Sequence, residues 1–250
     1  MILTVANISR QLGATEFQAA VAAIGRQVME DFQPEWSIAA YLRSTAFKLG
    51  HRKAPIQGHH DAIIYVGDAS EDPTTGVDGA LGYHSDNHAG VPYGFVYLDI
   101  CEQLEESWTS TLSHEVLELL ADPTAVFTVS APAPHQKHSV YYDLEVCDPT
   151  QGDSYEIDSV TVSNFVGRRY FGLPGGTGRT NYLNLHLEPF GVRPNGYLQY
   201  EDRRGTHQVN GKSVTERQLA AKKRLGDARR NERRAQRALM ASEKGAGQIT

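Results

Sequence analysis

Cysteine is scarce: Cys101 and Cys147 are the two in 250 residues. That number supports neither a disulfide framework nor a four-cysteine zinc site, and free buried thiols are the expectation. Long apolar runs are missing, so no membrane-spanning helix is expected. Met1 to Asn7 has no basic segment and too short an apolar stretch for a signal peptide, which points to a cytoplasmic protein. The glycine-rich stretch Gly172–Gly178 is not followed by Gly-Lys-Ser/Thr, which excludes a phosphate loop. No internal repeat is visible.

What remains is the composition of an ordinary globule, 40% hydrophobic and 22% charged. The net charge of −6 hides an asymmetry. Residues 215–250 carry ten Lys/Arg against four acids, and the rest of the chain carries 14 basic and 26 acidic groups. The reading is an acidic body, 1–214, with a basic tail, 215–250. The tail lacks proline and is rich in Ala, Arg and Lys, which favours helix. Its arginines Arg229, Arg230, Arg233, Arg234 and Arg237 suit a protein partner or nucleic acid.

Along the body, Phe17, Val21, Ile24, Val28 and Phe32 recur at helical spacing, predicting a helix over 14–32 that Pro34 ends. Strands are predicted at 2–7, 36–42, 62–66, 94–100, 140–146, 158–166 and 197–200. A helix is predicted from Ser107, a plausible N-cap, to Ala121, with Asp122-Pro123 as its stop.

That helix carries Ser113-His114-Glu115-Val116-Leu117-Glu118. Positions i and i+4 share a helix face, so His114 and Glu118 can grip one ion while Glu115 points at what the ion holds. Zinc peptidases use this spacing with a second histidine in the last position, where this chain has glutamate. One helix supplies only two ligands. Glu145 and Asp148, set in an apolar and aromatic stretch where carboxylates need partners, are candidates for the rest. His84, in Gly82-Tyr83-His84, can reach the same pocket, as can Tyr83. Asp122 suits either a helix stop or a group orienting His114. Zinc is the first choice, but oxygen-rich ligation favours it less exclusively and makes manganese, iron, magnesium and calcium alternatives. An ion open to water would acidify it, and Glu115 is placed to take the proton as general base.

Residues 113–123 resemble a Ser-His-Glu-x-x-Glu-x-x-x-Asp-Pro motif found in a zincin-like family of bacterial and phage proteins, to which the phosphate-induced (exordium-like) plant proteins are distantly similar. Gly82-Tyr83-His84, Glu145-Val146-Cys147-Asp148 and Arg193-Pro194-Asn195-Gly196-Tyr197 match further patterns of that family. The resemblance covers about residues 1–202. It implies a zincin-like α/β (α+β) fold for the body, 1–214, a mixed twisted sheet packed on a metal-site helix; the C-terminal basic helix is read from composition and lies outside the resemblance. The expected function is a metal-dependent hydrolase, a peptidase acting on a peptide or protein. The alternative is a non-enzymatic assembly protein, located in a virion if phage-encoded, with a structural or empty metal site. No membrane partner is expected.

Overall fold

The computed structural model describes residues 1–46, 61–72, 80–87, 90–134 and 138–213. The basic tail, with Arg229, Arg230, Arg233, Arg234 and Arg237, lies outside the described residues. The chain is a mixed α/β structure.

β1 (Ile2–Asn7) leads into α1 (Ala14–Arg26), which continues through a π-helical stretch, Gln27–Phe32, into the short α2 (Gln33–Trp36). β2 (Tyr41–Ala46), β3 (Ala62–Gly67), β4 (Gly82–Asp86) and β5 (Pro92–Tyr97) complete a five-stranded sheet in the order β2-β1-β3-β5-β4. All pairings are parallel except β4 with β5, so an antiparallel strand closes one edge. Leu3, Val5 and Ala6 on β1, with Ile64 and Val66 on β3, are fully buried, as interior parallel strands require.

α3 (Leu98–Gln103) follows β5 directly, and then comes α4 (Trp108–Ala121). Ser107 Oγ caps α4 by accepting from the Ser110 N–H at 3.3 Å, and Asp122 ends it. α4 packs against β4 and β5 on one side and against β9 (Val160–Ser163) on the other. Its apolar positions Leu112, Val116, Leu117 and Leu119 join the main core with α1. Each such side chain contributes roughly 1.5–3 kcal/mol by leaving water.

Beyond α4, β6 (Thr128–Pro132) and β7 (Ser139–Asp143) join β10 (Tyr197–Asp202) and β11 (Gly205–Asn210) in an antiparallel sheet ordered β11-β10-β7-β6. β8 (Ser154–Ile157) and β9 form a hairpin whose turn residues, Asp158 and Ser159, both have positive φ (49° and 62°), the pattern that matches strand twist in two-residue turns. Among the described residues no helix is long and apolar enough to cross a membrane.

The structure departs from the sequence reading in three places near the site. The first helix runs past Pro34 to Trp36, and Ser37 in the left-handed region (φ 58°) ends it. Pro34 falls in the first turn of α2, where a missing N–H costs little, because the π stretch before it resets the helix. The predicted strand over 94–100 stops at Tyr97, where α3 begins. The strand predicted over 140–146 stops at Asp143, leaving Glu145 and Asp148 on a loop and the first residue of a 3₁₀ turn, Asp148–Thr150. The N–H groups of Cys147 and Asp148 bond to the Glu118 carboxylate, so the backbone here leaves the sheet ladder.

Candidate metal centre

Three segments converge beside the C-terminal half of α4: the edge strand β4, the helix itself and the loop 144–148. On α4, His114 and Glu118 are one turn apart, and His114 Nε2 lies 3.1 Å from Glu118 Oε2. The same nitrogen is 3.2 Å from Asp148 Oδ1. β4 delivers His84, whose Nδ1 is 3.3 Å from Glu115 Oε2 and 3.9 Å from Glu118 Oε2. Its Nε2 faces Glu145 Oε2 at 3.8 Å. Thus His84, His114, Glu115, Glu118, Glu145 and Asp148 form one cluster.

Glu118 is its hub. Its Oε1 accepts from the backbone N–H of Cys147 (3.1 Å) and of Asp148 (3.2 Å), which fixes the carboxylate and aims Oε2 at the two histidines. Donor atoms within 4.8 Å of one another form three sets: His114–Glu118–Cys147, His84–Glu115–Glu118 and Glu118–Glu145–Asp148. Donors about 2.1 Å from one ion stand roughly 3.0–3.4 Å apart in octahedral or tetrahedral arrays, and the spacings around His114 fall in that range.

The cluster is sequestered. His84, Glu115, Glu118, Glu145 and Asp148 are buried, whereas the His114 side chain keeps 13% exposure. Burial by itself pulls the His114 imidazole down. The charge of Glu118, the imidazole's own hydrogen bonds to Asp148 and Glu118, and the charge of Glu115 outweigh it and hold the group well above the ordinary histidine range. The site is therefore a well of negative charge that favours a cation on the imidazole side. Burial, followed by the charge of Glu118, pushes the Cys147 thiol up.

Gly82 explains how Glu115 reaches His84. A Cβ at this position would lie 2.8 Å from Phe95 O and 3.1 Å from Glu115 Cγ, so only glycine lets the carboxylate lie over the strand. Alternation along β4 sends Tyr83 to the opposite face from His84. There Tyr83 and Tyr97 both donate to Asp72 Oδ2, at 3.0 and 2.7 Å, and Tyr83 packs with Phe95 and Tyr97. Asp122 Oδ2 accepts from the Phe127 N–H at 2.7 Å, the bond of a loop cap at the end of α4.

Two contributors escaped the sequence reading. Cys147, expected to be a packing thiol, has Sγ within reach of donors on His114 and Glu118, and a thiolate there would favour zinc. Gln27, fully buried in the π stretch, donates to Ser163 O at 2.8 Å and accepts from Ser113 Oγ at 2.6 Å. Ser113 Oγ in turn accepts from the Ser163 N–H at 3.0 Å, tying α4 to β9 and the end of α1. The only sequence signal for Gln27 was a polar residue beside the apolar stripe of α1. No family model, curated protein or solved structure matches this chain.

Proposed function

We propose that the chain is a metal-dependent hydrolase with a zincin-like catalytic arrangement, acting on peptide bonds. The observation that carries this reading is the convergence of His114 Nε2, Glu118 Oε2 and Asp148 Oδ1, at 3.1 and 3.2 Å about the imidazole, with a further carboxylate next to it in sequence. A mixed sheet packed on the helix that bears these ligands is what the zincin-like resemblance expects. His114, Glu118 and Asp148 hold the ion, zinc by preference, with Glu145 as a further ligand. When bound, a divalent ion supplies a Lewis acid and lowers the pKa of water. Glu115 accepts the proton of the attacking water and passes it to the departing amine. His84, hydrogen-bonded to Glu115, orients that carboxylate. The exposed part of His114 marks the side from which substrate approaches.

The test compares purified full-length chain loaded with Zn²⁺ with its Glu115→Gln variant on a peptide library. The reading expects cleavage by the first, a loss of at least about a hundredfold in the second, and retention in both of the ion held by His114, Glu118 and Asp148.

One observation favours a second reading. Five of the six clustered side chains are buried, and closed sites are the habit of structural ions. The chain is then an assembly protein whose ion holds β4, α4 and loop 144–148 together, and whose basic tail engages a protein or nucleic acid. Retained metal without cleavage of any peptide, and a lowered melting temperature on chelation, would select it.

A further inference from the structure

The cluster holds more ligands than one ion uses. Removing the set His114, Glu118 and Asp148 leaves His84, Glu115 and Glu145, all buried. His84 has a fully buried side chain, and its Nε2 has no hydrogen-bond partner among the described residues. Its other nitrogen, Nδ1, stands 3.3 Å from Glu115 Oε2, within the spacing of donors around a common ion, and 3.9 Å from Glu118 Oε2, somewhat beyond it.

We propose that the site is a two-metal centre, with Glu118 bridging an ion held by His114 and Asp148 and a second ion held by His84 and Glu115. Three features support it. Glu118 Oε2 faces both imidazoles, at 3.1 Å from His114 Nε2 and 3.9 Å from His84 Nδ1, the place of a bridging carboxylate oxygen. Glu145 Oε2 lies 3.8 Å from His84 Nε2, beyond hydrogen-bond distance but on the side of the ring away from Glu115, where a small approach would let it accept the remaining ring N–H and fix which nitrogen binds. Metal binding needs its ligands deprotonated, so Glu115, Glu118, Glu145 and Asp148 carry four negative charges against two neutral imidazoles. One dication leaves an excess in a buried space, and two balance the set.

The proposal rests on the metal reading above and is independent of whether the centre cleaves peptides. With the second ion bound, Glu115 Oε2 would serve as its ligand while Oε1 lies over Gly82, so the general-base role of Glu115 belongs to the form of the centre that holds only the first ion.

The test is equilibrium dialysis of the full chain against Zn²⁺ or Mn²⁺, with metal per chain measured by elemental analysis. Two ions are expected in the wild type, one in His84→Ala and one in His114→Ala. Saturation at one ion in the wild type overturns the two-metal centre while leaving the metal reading standing, and saturation at zero removes both. Two ions in a folded His84→Ala also overturns it. Should that variant not fold, Mn²⁺-saturated wild type gives the answer by electron paramagnetic resonance. An exchange-coupled spectrum is expected, and the six-line spectrum of isolated ions at saturation overturns the proposal.

Discussion

His114 Nε2 lies 3.1 Å from Glu118 Oε2, one helical turn along α4, and Glu118 Oε1 is held by the two N–H groups of the 147–148 turn. One carboxylate thereby connects the helix, the loop and both imidazoles. Ligand geometry and fold stability pass through the same side chain.

Glu118→Ala should therefore cost stability as well as metal. Two buried N–H groups lose their acceptor, worth about 2–5 kcal/mol in a denaturant titration. Glu118→Gln keeps one acceptor oxygen and should cost less, while still losing affinity for the ion. Equal stability of the two variants would show that the 147–148 turn does not depend on this bond.

Ser113 belongs to the same motif but should behave differently. Ser113→Ala breaks the link among Gln27, Ser113 and Ser163, leaving the Ser163 N–H without that acceptor, at about 1–3 kcal/mol. Metal content per folded chain should not change. A drop in both would place Ser113 in the metal centre.

Gly82→Ala inserts a methyl against Phe95 O and the Glu115 side chain. The overpacking should cost about 1–3 kcal/mol and displace Glu115 from His84. On the hydrolase reading, activity falls further than metal content, a difference seen by assaying both on the same sample.

Cys101 supplies a pH dependence. Burial, only partly offset by its contact with Thr111, pushes the thiol from the ordinary value near 9 up to about 11. A group whose folded pKa is raised contributes stability that is complete below the unfolded pKa and is lost as pH rises through the folded one. Stability should thus fall between pH 9 and about 11, and replacing Cys101 with alanine should flatten this part of the profile. In the folded state at neutral pH the thiol should resist alkylation.

Much of this was legible in the sequence. The 3.6-residue period, Ser107 and Asp122-Pro123 place α4 within a residue of its observed limits. His114, Glu115 and Glu118 were readable from the i, i+4 spacing on one helix, Glu145 and Asp148 as carboxylates in an apolar and aromatic stretch, and His84 from Gly82-Tyr83-His84. Their relative placement was not. Whether Glu145 and Asp148 lie on a strand or a loop depends on the Glu118 carboxylate drawing two N–H groups out of the ladder, a tertiary effect with no local signal. Tyr83 shares its motif with His84 yet faces away, a matter of strand alternation once β4 is known to be an edge. Pro34 announced a helix end that the π stretch at 27–32 postponed.

The central claim is that His114, Glu118 and Asp148 hold an ion. The most direct measurement is elemental analysis of the purified full-length chain after Zn²⁺ loading and desalting, beside His114→Ala. Retained zinc in the wild type, with at least one ion fewer in the variant, is the predicted result. Wild-type protein that keeps no metal, or a variant that keeps as much as the wild type, would contradict it.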